Sequence, residues 1–550
     1  MNLLAAKNRP EVIKSFKEKH FDLIVIGGGV TGAGIALDAA ARGMSVALLE
    51  KKDFAAGTSS KSTKLIHGGL RYLKQFEVKL VREVGLERAT VHKIAPHLVL
   101  PEKMLLPLTE NGTFGKIGTS IGLKVYDMLA DVKGDDRRVM LGKEATMEAE
   151  PLLRTRDLTG SGLYAEYRTD DARLTLELIK TAAKFGAMSL NYISAVDFNY
   201  ENGTIQSVDV KDELTQEEFL MHAEYVVSAA GPWVDTLRHK DKSMTDKHLF
   251  LSKGVHIVVP HTRLPLRQSV YFDIPDGRMM FAIPRLRVTY LGTTDTPYKG
   301  DINRVLANTD DVDYLLDATN KMFPEVNLTI DDVESSWAGL RPLIYEEGKS
   351  GSEMSRKDEI FESPTGLVSI AGGKLTGYRK MAERIVDLIA EKFADKQNRT
   401  FKDSQTREIP LAGGDFANYQ EVLGYQTEIE KQAKEAGLDS YYGRYLVANY
   451  GNQSDEILAA VQNYDNLPDT ALLRAELDFC LREELVMKPM DFLNRRTGRL
   501  YFNIQSIRPS LDAILDDFQK FYNWTDARKA EEKAAVLQEI EDVSVFAAAE

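Results

Sequence analysis

At 550 residues, with 43% hydrophobic and 28% charged side chains, the chain is long enough for more than one domain and has the balance of a soluble globular protein. A net charge of −13 argues against a general nucleic-acid binder, and the single cysteine, Cys480, excludes an intrachain disulfide and fits a reducing compartment. No metal-ligand spacing occurs, and no run approaches the roughly eighteen apolar residues of a bilayer span.

Residues 1–20 read as an N-terminal extension. Its apolar patch, Leu3 to Ala6, is too short for a secretory leader. Val12, Ile13 and Phe16 beside Lys14, Lys17 and Lys19 suit a short solvated helix packed on the next domain, or one lying on a membrane surface.

The stretch Phe21 to Glu50 is a strand, a glycine turn, a helix and a second strand. Leu23 to Ile26 is a continuous apolar run, as in a strand buried on both faces. Gly27, Gly29 and Gly32 follow at G-x-G-x-x-G spacing, then the Ala-rich run Ala33 to Arg42 closed by Gly43, and a strand from Ser45 that ends at Glu50. Gly27 makes the tight turn, Gly29 lets backbone approach a pyrophosphate, and Gly32 lets helix and strand pack closely. The helix N-terminus offers free N–H groups to phosphates, and Glu50 suits an adenosine ribose hydroxyl. This is the pattern of a dinucleotide site.

Beyond it, Gly57-Thr58-Ser59-Ser60 offers hydroxyls and bare backbone to a flat cofactor, or forms a surface loop. In Lys61 to Tyr72, Leu65, Ile66, Leu70 and Tyr72 want burial beside Lys61, Lys64, His67 and Arg71, with Gly68 between. That mixture suggests an anion-binding wall, although Arg71 or Lys64 alone reads as a solvated charge. Phe76 to His92 is helical by periodicity. Met104 to Leu108 and Ile117 to Leu129 are apolar without clear period, and Leu174 to Lys184 is a helix with Asp170 or Asp171 as N-cap. Glu224 to Asp235 is a buried strand running through Gly231 into a new helix, which would return the chain to the dinucleotide sheet. Four short strands then fall between Lys253 and Tyr298 and read as an inserted antiparallel sheet. His256 alternates with Val255 and Ile257, so it faces away from them; a lone strand histidine is structural or catalytic. Arg341, among apolar neighbours, needs an anionic partner from the protein or from a ligand. Gly366 to Arg379 is another strand, glycine turn and helix start, putting a second helix N-terminus in the cleft. The chain turns polar at Asn398 to Asp415, and residues 405–550 read as a mostly helical domain. There Cys480 shares a helix face with Leu473, Leu477 and Leu481, and Phe546 to Glu550 reads as a frayed tail.

The segments IGGGVTGAGIALDAAARG (26–43), GTSSKSTKLIHGGLRYL (57–73), YRTDDARL (167–174), AAGPWVD (229–235), KGVHIVVP (253–260), GTTDTPYKGD (292–301), WAGLRPL (337–343), SRKDEI (355–360) and AGGKLTGYRKMAE (371–383) resemble those of the FAD-dependent, aerobic or respiratory glycerol-3-phosphate dehydrogenases. The first is shared by many flavoproteins; HGGLRYL with GGKLTGYR is far more specific. The resemblance implies an α/β fold of the glutathione-reductase and amino-acid-oxidase type: a Rossmann-like FAD-binding and substrate domain over 21–400, its substrate sheet mainly 253–345, and a C-terminal helical domain over 405–550. It implies oxidation of sn-glycerol 3-phosphate to dihydroxyacetone phosphate, with hydride passing from C2 to FAD. His256 then becomes the candidate base and Arg341 the stabiliser of oxygen charge, while Arg71, Tyr72, Arg356 and Lys374 grip the phosphate. FAD contacts fall to Gly27, Gly29, Gly32, Glu50, Thr58, Ser59, Ser60, His67, Gly68, Gly231, Gly373, Leu375 and Thr376. The positive end of the helix opening near Lys374 to Thr376 would face the flavin pyrimidine.

Some oxygen-using relatives carry an insertion between WAGLRPL and SRKDEI. Only Ile344 to Met354 lies there, which favours a membrane quinone as electron acceptor. The expected location is cytoplasmic, with room for peripheral contact at the membrane's cytoplasmic face and for a homodimer. The alternatives are a glycerol-3-phosphate oxidase, a related amine or amino-acid oxidase, and a non-catalytic flavin sensor.

Overall fold

The structure, a computed structural model, describes residues 2–68, 78–110, 137–274, 276–348, 354 and 357–548. The strands in chain order are β1 His20–Ile26, β2 Val46–Glu50, β3 Leu65–Ile66, β4 Leu100–Thr109, β5 Val139–Gly142 and β6 Leu158–Arg168, then β7 Met188–Asn191, β8 Ile193–Glu201, β9 Thr204–Asp212 and β10 Glu218–Ser228. They continue with β11 Leu249–Pro260, β12 Ser269–Asp273, β13 Met279–Arg285, β14 Val288–Gly292, β15 Thr296–Pro297, β16 Ser335–Ile344, β17 Asp358–Glu362 and β18 Leu367–Gly372. Among the described residues they form two sheets.

The first sheet runs β17-β18-β10-β1-β2-β7, with β8 and β9 added beside β10. β1 pairs in parallel with both β2 and β10, so its apolar run is buried on both faces, as the unbroken Leu23 to Ile26 demands. The helix Val30–Arg42 leaves β1 and ends on Gly43, whose left-handed φ of 101° a side chain would disfavour. It packs against the helices Asp171–Lys184 and Tyr378–Gln397. Gly34 permits the second contact, since a Cβ there would come within 3.1 Å of the Tyr378 ring.

The second sheet runs β15-β11-β14-β13-β12-β4-β6-β3, with β16 on β11 and β5 on β6. The four strands expected between Lys253 and Tyr298 are present, but the sheet is mixed and wider than the sequence suggests. β4 joins it in parallel to β12 and carries β6 antiparallel. β11 splits its side chains by parity. Val255, Ile257 and Val259 enter one core with the helix Thr309–Met322, while His256 and Val258 face the opposite way.

The helices Tyr419–Glu435, Tyr441–Tyr450, Pro468–Glu483, Ile507–Tyr522 and Asp526–Ser544 make up most of the C-terminal part. Cys480 is buried there, and burial pushes its thiol well above the ordinary range. Charged side chains tie this part to the first sheet. Asp53 receives Arg495 and Arg496, each at 2.5 Å, and Glu484 receives Arg173 at 2.7 Å and Lys180 at 3.0 Å; of these only Arg495 is not fully buried.

At the N-terminus the packed helix, not the membrane-lying one, is present: Val12 and Phe16 of the helix Arg9–Glu18 are fully buried against the chain itself, and Arg9 is buried on Asp212. One expectation changes at the other end. The tail does not fray at Phe546: Thr309 N donates to the Ala547 carbonyl at 2.9 Å, and Phe546 packs on the apolar core beneath the Thr309–Met322 helix.

Candidate active site

A cavity of about 480 Å³ is lined by both sheets. On the first-sheet side, Gly27, Gly29, Val30 and Thr31 line it at the uncapped start of the Val30–Arg42 helix. Gly27 has φ 117° and lies against the Ala229 carbonyl; a Cβ would meet that oxygen at 2.5 Å. A Cβ on Gly32 would lie 1.9 Å from the Gly27 carbonyl oxygen, so only glycine lets helix and turn touch. Ser59 Oγ accepts the Val30 amide at 2.9 Å and so holds the following loop over the helix start.

Glu50 lines the same cavity. Its two carboxylate oxygens accept one amide each, from Gly28 at 2.8 Å and Lys52 at 2.9 Å, and each oxygen retains acceptor capacity for a sugar hydroxyl. Burial raises its pKa against the pull of those amides. Lys51 lies over the Trp233 ring, 4.1 Å from its centroid. An open helix end, a bare glycine turn and an acid at the tip of the next strand are the donor and acceptor set that a dinucleotide requires, so FAD fits.

Across the cavity, His256 and Arg341 come from adjacent strands. His256 is 1% exposed, stacks on Trp337 with centroids 4.8 Å apart, and sets Nε2 3.0 Å from Thr63 Oγ1. Trp337 donates from its indole N–H to the Ser62 carbonyl, fixing the segment that carries Thr63. Gly292, paired opposite His256, makes room for the ring, since a Cβ would approach Cδ2 to 2.1 Å. Burial, aided by Arg341 and Lys64, holds the imidazole pKa well below its ordinary value, so the ring is neutral. Arg341 donates to Thr293 Oγ1 at 2.9 Å and the Thr294 carbonyl at 3.1 Å, with Asp295 at 3.4 Å. Gly254 clears its guanidinium, as a Cβ there would reach Nη2 at 2.4 Å.

Gly373, Lys374, Leu375 and Thr376 also line the cavity, at a single 3-10 turn, Leu375–Gly377, that leads into the Tyr378–Gln397 helix. Thr376 Oγ1 accepts the His67 amide at 3.0 Å and donates to its carbonyl at 3.1 Å; Lys374 Nζ lies 3.4 Å from the Gly68 carbonyl.

Of the expected site residues, Gly27, Gly29, Glu50, Thr58, Ser59, His67, Gly231, His256, Arg341, Gly373, Lys374, Leu375 and Thr376 share this cavity. Gly32, Ser60 and Gly68 do not line it; Ser60 is buried, with its carbonyl accepting Lys64 Nζ. Arg71, Tyr72 and Arg356 lie outside the described residues, as does Ile117 to Leu129. Lys64 is neither a solvated charge nor part of an anion-binding wall: it is 1% exposed and salt-bridged to Asp171 at 2.5 Å. Lys61, expected in an anion-binding wall, does line the cavity, and burial lowers its amine to about 8. Sequence reading passed over Thr63, Trp337 and the Thr293–Asp295 partners of Arg341. A run of small hydroxyl residues beside a motif was their only signal.

The family model described as FAD dependent oxidoreductase matches residues 22–379, and that of the C-terminal domain of alpha-glycerophosphate oxidase matches 404–529. The aerobic glycerol-3-phosphate dehydrogenase of Bacillus subtilis is 50% identical over 528 residues, 95% of each chain. That of Staphylococcus haemolyticus is 48% identical over 535 residues, 96% of each. A solved glycerol-3-phosphate dehydrogenase from Bacillus halodurans complexed with FAD superposes with a TM-score of 0.84 at 43% identity, covering 99% of this chain and 100% of that one.

Proposed function

The chain belongs to the FAD dependent oxidoreductases, and we propose that within that family it oxidises sn-glycerol 3-phosphate to dihydroxyacetone phosphate. The observation that carries this reading is one cavity lined by the glycine turn and Glu50 on one side and by His256, Arg341 and Lys374 on the other. The names of relatives about half identical over nearly the full length support the substrate.

FAD supplies the hydride acceptor; the remaining work falls to the chain. Neutral His256 takes the proton of the C2 hydroxyl, with Thr63 and Trp337 fixing its ring. Arg341, held by backbone and hydroxyl oxygens, stabilises negative charge that grows on the substrate oxygen. Lys374, with Arg71 and Arg356, grips the phosphate, so that binding energy remote from C2 orients the reacting carbon.

The electrons pass, in this reading, to a membrane quinone reached from the membrane surface. The short Ile344–Met354 connection supports it, and among the described residues no helix is long and apolar enough to cross a bilayer. A second reading, electrons to oxygen, is favoured by the match of residues 404–529 to an oxidase C-terminal domain. Steady-state assay with glycerol 3-phosphate, comparing a soluble quinone analogue with oxygen, separates the two. Turnover with the quinone at least tenfold faster supports the first; equal or faster peroxide production overturns it.

A further inference from the structure

The polar route from His256 to the catalytic cavity runs through Thr63. The imidazole is 1% exposed and stacked on Trp337, with 11° between the ring planes. Its edge is pressed to the Gly292 backbone, where an added Cβ would stand 2.1 Å from Cδ2 and 2.6 Å from Nε2. Nδ1 is buried with no partner among the described residues. Nε2 has one position in the ring plane for a hydrogen bond, and Thr63 Oγ1 occupies it at 3.0 Å. A substrate hydroxyl therefore reaches neither nitrogen while Thr63 stays in place.

Thr63 is half-buried and lines the cavity, and its hydroxyl has no other partner among the described residues. A hydroxyl donates once and accepts twice, so Thr63 can donate to Nε2 and still accept from a substrate hydroxyl. Its backbone is fixed on both sides. Tyr290 Oη donates to the Thr63 carbonyl at 3.1 Å, the Trp337 indole N–H donates to the Ser62 carbonyl at 3.1 Å, and the Ser62 amide donates to Asp171 at 3.0 Å. The next residue, Lys64, has a left-handed φ of 58°, which few residues other than glycine adopt. Its buried pair with Asp171 and the Thr169 amide, 2.8 Å from its carbonyl, hold it there. Such strain persists only where the surroundings over-determine it, and it gathers at active sites.

We propose that Thr63 is a catalytic residue: its hydroxyl takes the proton of the substrate's C2 hydroxyl while passing its own to His256 Nε2. The inference rests on the reaction proposed above and gives it a proton path. Hydrogen leaves C2 with its electron pair for FAD, and the C2–O bond becomes the carbonyl. The substrate O–H bond breaks as a new one forms on Thr63 Oγ1; the old Thr63 O–H bond breaks as N–H forms on Nε2. Thr63 ends as it began, and His256 ends as the imidazolium. A threonine hydroxyl holds neither an extra proton nor a negative charge near neutral pH, so both protons move together.

The test is stopped-flow anaerobic reduction of the FAD-loaded full chain at saturating glycerol 3-phosphate, in wild type, Thr63→Val and Thr63→Ser. FAD content and the thermal midpoint report whether each variant folds. Valine keeps the shape and removes the hydroxyl, so flavin reduction is expected to slow at least about tenfold, while serine stays within about threefold of wild type. Rates of the wild type in mixtures of light and heavy water are expected to curve with deuterium fraction, as two protons in flight require. That arm needs no variant, and a group that only orients the ring would not produce the curvature. A loss below about tenfold in Thr63→Val, serine as slow as valine, or a linear or absent dependence on deuterium fraction overturns the relay. Any of these with a wild type that glycerol 3-phosphate bleaches leaves the reaction standing; a wild type that it does not bleach refutes the reaction and the relay together.

Discussion

The cofactor wall and the seam with the C-terminal helices are built in opposite ways. Backbone dominates the wall: a glycine turn, an open helix end, and a loop held by Ser59 on Val30 N. Charge dominates the seam, where Asp53, Glu484 and Glu476 are buried against Arg495, Arg496, Arg173, Lys180 and Arg499. The wall must receive a ligand, so no side chain of the preceding residue caps its helix start. In the seam a buried ion pair penalises opening, because each charge would lose its partners. Asp53 stands three residues beyond Glu50, so the seam also anchors the loop that presents the ribose acceptor.

The largest effect expected from breaking this contrast is at Arg496. Arg496→Met strands the Asp53 carboxylate beside Arg495 alone and should lower stability by about 3–5 kcal/mol in urea denaturation. The double variant with Asp53→Leu should recover most of that loss. A change below about 1 kcal/mol in the single variant would mean that the seam is held by packing.

Next in size is Arg341→Lys, which keeps the charge but loses the planar fork held by Thr293 and Thr294. The rate of anaerobic flavin reduction at saturating substrate should fall about 10²–10³-fold, equivalent to about 2.7–4 kcal/mol. A change in apparent affinity alone would reduce Arg341 to a binding residue.

The segments that could be read from sequence are those whose partners are close along the chain. The turn at Gly27 to Gly32, its flanking strands and Gly43 form one contiguous signal, and the return strand ending at Ala229-Ala230-Gly231 carries its own. The four strands from Lys253 to Tyr298 alternate cleanly and were legible for that reason. β4 was not, because Pro101 and Pro107 interrupt its period and its partner β12 lies far along the chain. Lys64 misleads for the same reason, since Asp171, which buries it, is 107 residues away. Docking of Phe546 and Ala547 on Thr309 has no local pattern at all. At the site, His256 and Arg341 were visible through strand parity and an apolar setting, whereas Thr63 and the glycines that clear their side chains gain meaning only across strands.

A smaller effect sharpens the seam side. Burial, with Arg173 and Lys180 nearby, pushes the His97 pKa down to about 3. The unfolded chain therefore binds this proton first, and stability falls as pH drops below the ordinary histidine value of about 6.5. Between pH 6.5 and 5 the loss is about 2 kcal/mol. His97→Gln should flatten that part of the stability profile, and an unchanged slope would remove His97 from the account.

The smallest effect belongs to the wall. Glu50→Ala deletes one ribose acceptor while the glycine turn persists, so FAD affinity should weaken about tenfold, and the flavin that stays bound should still be reducible by substrate. Unchanged affinity would refute the assignment.

In the proposed reaction the catalytic cavity oxidises a phosphorylated glycerol held by Lys374. The most direct measurement is stopped-flow anaerobic bleaching of the flavin by glycerol 3-phosphate and by glycerol, in wild type and Lys374→Ala. The expected result is rapid bleaching by glycerol 3-phosphate, far slower bleaching by glycerol, and a loss of about 2–5 kcal/mol in Lys374→Ala that appears only with the phosphorylated substrate. No bleaching by glycerol 3-phosphate would contradict the proposed reaction, and equal losses with both substrates would contradict the phosphate grip.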